Sequence, residues 1–161
     1  MLAHRLTVPI FVDPVSTVKV SRISNVLDKI DTLKPNEHEV EVLTGIRIIN
    51  DATAKQAAIM LNRKGVKNII ISMGAKVIFC SRSGEVKVVK PLAKKIISTN
   101  GAGDCTMAAI VWARFLYGEA LSLEEKGLIA QAAASITLES NCAVSEDLNV
   151  KNVISRAKNK F

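Results

Sequence analysis

The chain has 161 residues, 48% of them hydrophobic and 4% aromatic, and its 22 basic and 15 acidic residues give a net charge of +7. This composition excludes a disordered chain and predicts one domain with an aliphatic core. No apolar run approaches the ~20 residues that span a membrane. The basic residues are scattered, without interleaved aromatic residues. This pattern argues against a nucleic-acid partner and favours attraction for phosphorylated small molecules.

Three cysteines, Cys80, Cys105 and Cys142, lie far apart in the sequence. Their odd number and their spacing argue against a disulfide framework and a zinc site, so we expect a reducing, cytoplasmic location. The stretch 1–16 runs straight from a short helical piece into a strand, which resembles the middle of a protein and not its beginning.

Strands and helices alternate along the first half of the chain. The patterns predict a buried strand, a helix, an extended segment, a short helix and a longer helix, over 8–14, 16–30, 31–35, 36–45 and 51–65. Asn36 and Gly45 are the expected cap and stop of the short helix, and Asp51 is the expected cap of the longer one.

The second half predicts a strand, a hairpin and three helices. Their expected ranges are 66–74 for the strand, 76–81 and 85–91 for the hairpin, and 104–117, 122–140 and the tail from Asn149 for the helices. Ser122 and Glu125 show the spacing of a capping box. The alternation predicts an α/β domain with a mainly parallel sheet, in which ligands bind beyond the carboxyl ends of the strands.

The stretch STNGAGDC (98–105) places small residues and one acid at the start of an apolar helix. A helix start has free N–H groups and a positive dipole end, and small residues let an anion approach them closely. Asp104 could accept a proton from an attacking hydroxyl. The alternative is that Asp104 caps the helix and the glycines form a turn, and the residues alone leave both interpretations open.

Two upstream segments carry similar chemistry. Asn36 and Glu39 begin a helix, where the amide could bond a phosphate oxygen and the carboxylate could hold Mg²⁺ through water. The same spacing is also that of a capping box. Ser72 and the backbone of Gly74 end a strand, where they could contact phosphate or form a simple turn.

In this order, the segments resemble the C-terminal half of the PfkB, or ribokinase-like, carbohydrate kinase family. KPNEHEVEVLTG resembles its Asn-x-x-Glu segment, STNGAGDCTMAAIVWARFLYG its second signature, and IAQAAASITLES the alanine-rich helix beside its adenine pocket. The resemblance covers essentially all of the chain. It implies a three-layer α/β/α fold, with residues 1–161 as a single partial domain that lacks the family's N-terminal half and lid.

The resemblance also implies ATP-dependent phosphorylation of a sugar or nucleoside hydroxyl. Asp104 would be the general base, and the amides of Gly101, Ala102 and Gly103 would form the anion hole. Glu39 would order Mg²⁺ through water. The residues that would contact ATP are Asn36, Ser72, Gly74, Thr99 and Gln131.

Within the family, FVDPVST, LDKIDTLKPNE and ASITLESNCAVSEDL resemble the pseudouridine kinase branch, which forms pseudouridine 5′-phosphate. A kinase for ribose, fructose or another nucleoside and a non-catalytic nucleotide-binding module are the alternatives. Ser98 replaces the signature's first Asp, which puts the family's monovalent-cation site in doubt. Without the N-terminal half we expect the chain alone to be inactive, and a homodimer or pairing with that half stays open.

Overall fold

The computed structural model describes residues 8–74 and 77–158. These residues form two compact units, and each is described by itself. The first unit holds residues 8–73 and 79–87, and the second holds residues 74, 77–78 and 88–158. The first residues of the chain and the predicted start of the hairpin at Lys76 lie outside the described residues.

A five-stranded sheet has its strands in the order of the chain. The strands are β1 (Phe11–Val12), β2 (Thr32–Leu33), β3 (Asn68–Ser72), β4 (Ile78–Arg82) and β5 (Glu85–Val89). Parallel pairing joins β1 to β2 and β2 to β3, with Phe11 opposite Thr32 and Leu33 opposite Ile69. The first four residues of β3 are buried, as expected for a parallel strand that is covered on both faces.

The predicted hairpin is formed by β4 and β5. Its turn consists of Ser83 and Gly84, whose φ values are 52° and 86°. Positive φ at both central residues is typical of the turn whose twist matches that of the flanking strands. The sequence therefore predicted the strand connection and the position of its turn correctly.

The first unit contains α1 (Thr17–Val20), a 3-10 helix (Ser21–Lys29), α2 (Glu37–Thr44) and α3 (Asp51–Arg63). The prediction of one regular helix over 16–30 is wrong after Val20. There the chain tightens into 3-10 geometry and leaves helical values at Val26, with φ −133° and ψ 18°. The stretch mixes β-branched residues, which lose side-chain freedom in a helix, with serines, which compete for backbone hydrogen bonds.

Helix α2 has the predicted ends, but α3 does not have the predicted cap. Gly45 ends α2 in the left-handed conformation with φ 73°. At α3 the cap is Asn50, whose Oδ1 accepts from Thr53 N at 2.9 Å, while Thr53 Oγ1 accepts from Asn50 N at 3.2 Å. Asp51 is the first helical residue, so the predicted cap is wrong by one position.

The second unit contains α4 (Ala102–Tyr117), α5 (Leu123–Leu138) and α6 (Val150–Lys158). The start of α4 lies two residues before the predicted start, and the predicted capping box at Ser122 and Glu125 is confirmed. A buried apolar cluster fills this unit, made of Val89, Ala109, Ala113, Leu128, Ile129, Ala132, Ala133, Ile136, Val153 and Ala157. Across 8–74 and 77–158, no helix combines the length and apolar character that crossing a membrane needs.

The corrected cap of α3 can be tested by unfolding. We expect Asn50→Ala to lower the free energy of unfolding by about 1 kcal/mol, because the first-turn amide of Thr53 loses its acceptor. Asp51→Ala is the matched control and should cost less than about 0.5 kcal/mol, since it removes only a charge near the helix dipole. Urea midpoints at constant slope give both values, and a larger loss for Asp51→Ala would contradict the assignment.

Candidate active site

Helix α2 begins beside the carboxyl end of β3 in the first unit. Ser72 N donates to Pro35 O at 3.0 Å, and Asn36 and Ser72 form an isolated parallel bridge. Residues 36 and 72 therefore lie next to each other, although the chain between them contains two helices and most of a strand. Both residues lie at the carboxyl edge of the parallel strands, which is where ligands of such sheets bind.

The start of α2 is a complete capping box. Asn36 Oδ1 accepts from His38 N and Glu39 N, each at 3.0 Å, and Glu39 Oε2 accepts from Asn36 N at 2.9 Å. The capping interpretation of this motif is therefore correct. It uses only one oxygen of the Glu39 carboxylate.

The other oxygen of Glu39 is buried without a partner. Glu39 is 1% exposed, and no described residue donates a hydrogen bond to its Oε1. A buried carboxylate oxygen without a partner is costly, so this atom fits a cation or a water that a cation orders. Among the described residues no three His, Cys, Asp or Glu side chains cluster. A divalent cation here would therefore take most of its ligands from water and phosphate, as Mg²⁺ commonly does.

A buried ion pair beside α2 was missed by sequence reasoning. Lys34 Nζ lies 2.7 Å from Asp13 Oδ2, and the Lys34 side chain is only 5% exposed. Asp13 follows β1 and Lys34 follows β2, so the pair joins the carboxyl ends of neighbouring parallel strands. Both residues lie in loops where ligands of such sheets bind, and opposite charges at two such loops are the signal that could have found them.

In the second unit, the start of α4 has no side-chain cap. Gly101 is the cap residue, with φ 77°, and no side chain of residues 8–74 or 77–158 accepts a hydrogen bond from the first turn. Ala102 N makes a long bond of 3.5 Å to Thr99 O, and the amides of Gly103 and Asp104 donate to no described residue. By contrast, side chains cap α2, α3 and α5. The first turn of α4 therefore presents open N–H groups at the positive end of a 16-residue helix.

Asp104 is exposed in the first turn of this helix. Its carboxylate makes no hydrogen bond or ion pair with the described part of the chain, so Asp104 does not cap α4. Within the part of the chain that the structure describes, the first turn of α4 thus combines an unpaired carboxylate with open amides. Such a carboxylate can accept a proton while the amides hold an anion.

Gly101 is pressed against the loop that follows α5. A Cβ at position 101 would overlap the carbonyl oxygen of Ala143, and φ 77° is a value that other residues rarely adopt. Cys105, in the next turn, is buried and its Sγ donates to the same carbonyl at 3.7 Å. Cys105 is therefore a packing residue.

The remaining predicted residues are distributed as follows. Gly74 is exposed with φ 59°, and Thr99 is exposed just before α4. Gln131 lies inside α5, 5% exposed, and its Nε2 donates to Val89 O at 3.4 Å. Asn36, Glu39 and Ser72 are together in the first unit, and the other predicted residues belong to the second. The adenine role of Gln131 stays a prediction.

Comparisons with a family profile and with known proteins indicate the same family. The profile of the pfkB family carbohydrate kinases matches residues 2–147. The pseudouridine kinase of Escherichia coli K12 is 32% identical over 160 residues, which is 99% of this chain and 50% of that protein.

Two solved ribokinases have the same fold. The enzyme of Thermotoga maritima superposes with a TM-score of 0.77 at 26% identity, over 98% of this chain and 51% of its own. The Arabidopsis thaliana enzyme, complexed with ribose and ATP, gives a TM-score of 0.72 at 28% identity, over 96% of this chain and 49% of its own. The predicted ribokinase-like α/β fold is confirmed, and the chain spans about half the length of these relatives.

The close contact at Gly101 gives a matched pair of variants. We expect Gly101→Ala to destabilise the chain by about 1–3 kcal/mol more than Gly45→Ala, because the new Cβ overlaps Ala143 O. Gly45 has nearly the same backbone conformation, but a Cβ there meets nothing within 4 Å. Thermal and urea unfolding of both variants measure the difference. Equal losses of unfolding free energy would show that the loop at Ala143 moves away from the new Cβ at little cost.

Proposed function

The chain belongs to the pfkB family of carbohydrate kinases, and we propose that it forms the phosphoryl-transfer part of a pseudouridine kinase. The observation that carries the proposal is the uncapped start of α4, where the open amides of Gly103 and Asp104 lie beside an exposed carboxylate. The choice of pseudouridine rests on the 32% identity to the E. coli enzyme across 99% of this chain.

The reaction needs negative charge to be stabilised on the phosphoryl group in flight. In the proposed mechanism, the open amide of Gly103 donates a hydrogen bond to its oxygens, together with the amide of Gly101 and that of Ala102, which exchanges its long 3.5 Å bond to Thr99 O for the phosphoryl group. Asp104 accepts the proton of the 5′-hydroxyl as that oxygen attacks the terminal phosphorus of ATP. We also propose that Thr99, just upstream of the helix start, contacts ATP.

The first unit would serve the nucleotide phosphates. We propose phosphate contacts for Asn36 and Ser72, which are adjacent at the carboxyl edge of the sheet, and separately for the backbone of Gly74 in the second unit. Glu39 Oε1, which accepts from no described residue, would hold Mg²⁺ through a water. When bound, Mg²⁺ would neutralise part of the negative charge of the phosphates. Ser98 offers only a hydroxyl where many relatives have an Asp, so the proposal includes no monovalent cation.

The partners proposed for this chain are a nucleoside, ATP and a polypeptide that presents the nucleoside. Because the chain spans about half of each relative's length, we propose that turnover requires the part of the kinase that this chain does not match. The three free cysteines fit a cytoplasmic enzyme. A ribose kinase is the second candidate, since the Arabidopsis structure holds ribose and ATP and matches 96% of this chain.

A substrate panel tests the proposal. The chain alone, and a hybrid in which it replaces the matching part of the E. coli pseudouridine kinase, are assayed with ATP and pseudouridine, ribose, fructose or uridine. We expect the hybrid to turn over pseudouridine and the chain alone to bind ATP without turnover. Since the hybrid takes its remaining part from the E. coli enzyme, its turnover tests the phosphoryl-transfer role. Failure of the chain to bind ATP at millimolar concentration would remove that role.

The general base can be tested in the same hybrid. Asp104→Asn keeps the shape of the side chain but cannot take the proton, so we expect kcat to fall by at least ~10²-fold. The affinity for ATP should change little, because the amides are unaltered. Asp51→Asn is the control, an exposed acid in the first turn of α3, and should leave turnover unchanged. Near-normal turnover of the Asp104 variant would exclude it as the base.

The role of Glu39 is tested by its dependence on Mg²⁺. Glu39→Gln retains an oxygen for the Asn36 amide and so keeps the helix start, but it removes the buried negative charge. We expect the Mg²⁺ concentration for half-maximal ATP binding by the chain to rise about tenfold or more. Glu37→Gln, in the same helix turn, should not change it. An unaltered Mg²⁺ dependence in Glu39→Gln would contradict the assignment.

A further inference from the structure

The segment 94–98 leads directly into the start of α4 and has no regular secondary structure of its own. Its backbone is held by the carboxyl end of α5. Ile97 N and Ser98 N donate to Leu138 O at 2.7 and 3.3 Å, and Lys94 N donates to Glu139 Oε1 at 2.7 Å. Two consecutive residues at the end of α5, Leu138 and Glu139, therefore fix the path of this segment.

Glu139 is in turn held by the last helix of the chain. Arg156 Nη1, in α6, donates to Glu139 Oε2 at 2.8 Å and to Ser135 Oγ at 3.0 Å. Each carboxylate oxygen of Glu139 thus has its own donor, one from the segment before α4 and one from α6. Burial raises the pKa of Glu139, but the hydrogen bonds from Lys94 N and Arg156 and their positive charges outweigh it and hold the pKa below its ordinary value.

The same stretch also touches the first turn of α4. Residues 140–143 continue from Glu139, and the carbonyl oxygen of Ala143 lies against Gly101. The segment that enters the helix and the glycine that begins it therefore rest on a single stretch, 138–143. Displacement of this stretch would move both.

We propose that Glu139 and Arg156 are positioning residues, which hold stretch 138–143 so that the open amides of α4 keep the geometry for binding phosphate. Neither residue contacts the amides or Asp104. The inference rests on the proposed function for its consequence, but the arrangement itself is independent of any substrate. An arginine suits this place because one nitrogen of its guanidinium, Nη1, carries two N–H donors and bonds the Glu139 carboxylate and the Ser135 hydroxyl together, and because a cation is stabilised at a helix carboxyl end.

The test uses the chain itself with Arg156→Met, which keeps much of the side-chain volume but removes the charge and the donors. By NMR we expect exchange of the Lys94, Ile97 and Ser98 amides to quicken by at least about tenfold, with the Ala109 and Ala133 amides unchanged. Titration with Mg²⁺ and ATP should show about tenfold weaker binding, since small displacements of binding groups are costly. Arg156→Lys should recover most of both effects.

Two further variants keep the outcome decisive. Lys151→Met removes an exposed charge from the same helix and should change neither exchange nor ATP binding. Glu139→Gln keeps an oxygen for Lys94 N and should give a smaller effect in the same direction. If Arg156→Met fails to fold, this variant provides the test in its place. Two results would overturn the proposal. One is unchanged amide exchange in 94–98 of Arg156→Met. The other is exchange that quickens equally throughout α4 and α5 and is not restored in Arg156→Lys. Absence of ATP binding by the unaltered chain would instead overturn the proposed function, and the exchange rates would still decide whether Arg156 holds the segment.

Discussion

The first turn of α4 carries amide groups that no side chain caps, and the second unit keeps this turn in place by other means. With Gly101 in place of a Ser, Asn or Asp cap, the helix loses only about a few tenths of a kcal/mol. The loss is offset further along the helix, where Ala109 and Ala113 lie in the same buried cluster as Ala132 and Ala133 of α5. Small side chains allow two helices to approach closely, so that many weak contacts add up. The helix start can therefore stay open because the helix does not depend on its cap.

The first unit also keeps a polar group open at a helix start, but there the helix is capped. Helix α2 is fully capped, yet the residue that completes the cap retains a free oxygen at Glu39. The corresponding residue of α5, Glu125, makes a similar box with Ser122, and hydrogen bonds from Ser122 lower its pKa. Glu125 is partly exposed, so its second oxygen meets water, whereas that of Glu39 is shielded. Burial, and not the motif, is what distinguishes a structural cap from a candidate ligand.

The sequence predicted the features that depend on neighbouring residues. The caps at Asn36 and Ser122, the stop at Gly45 and the hairpin turn depend on backbone preferences within four residues. Where two competent residues are adjacent, such preferences cannot decide, and Asn50 took the place expected for Asp51. The spacing of apolar residues over 16–30 also fits a short α-helix and a 3-10 helix about equally well, so the type of helix was not predictable from it.

The charged pairs beside the candidate site could not be predicted in this way. Lys34 pairs with Asp13 and Arg156 with Glu139, and each pair joins segments that are distant in the sequence. For the buried Lys34–Asp13 pair, the loss of one partner would cost about 3–5 kcal/mol, because a charge is then left without compensation, whereas the more exposed Arg156–Glu139 pair contributes less. Such a pair therefore acts mainly by excluding other arrangements. Lys34 lies two residues before Asn36, and Glu139 holds the segment before Gly101. Motif residues carry the proposed chemistry, whereas pairs distant in sequence restrict where the motifs can lie.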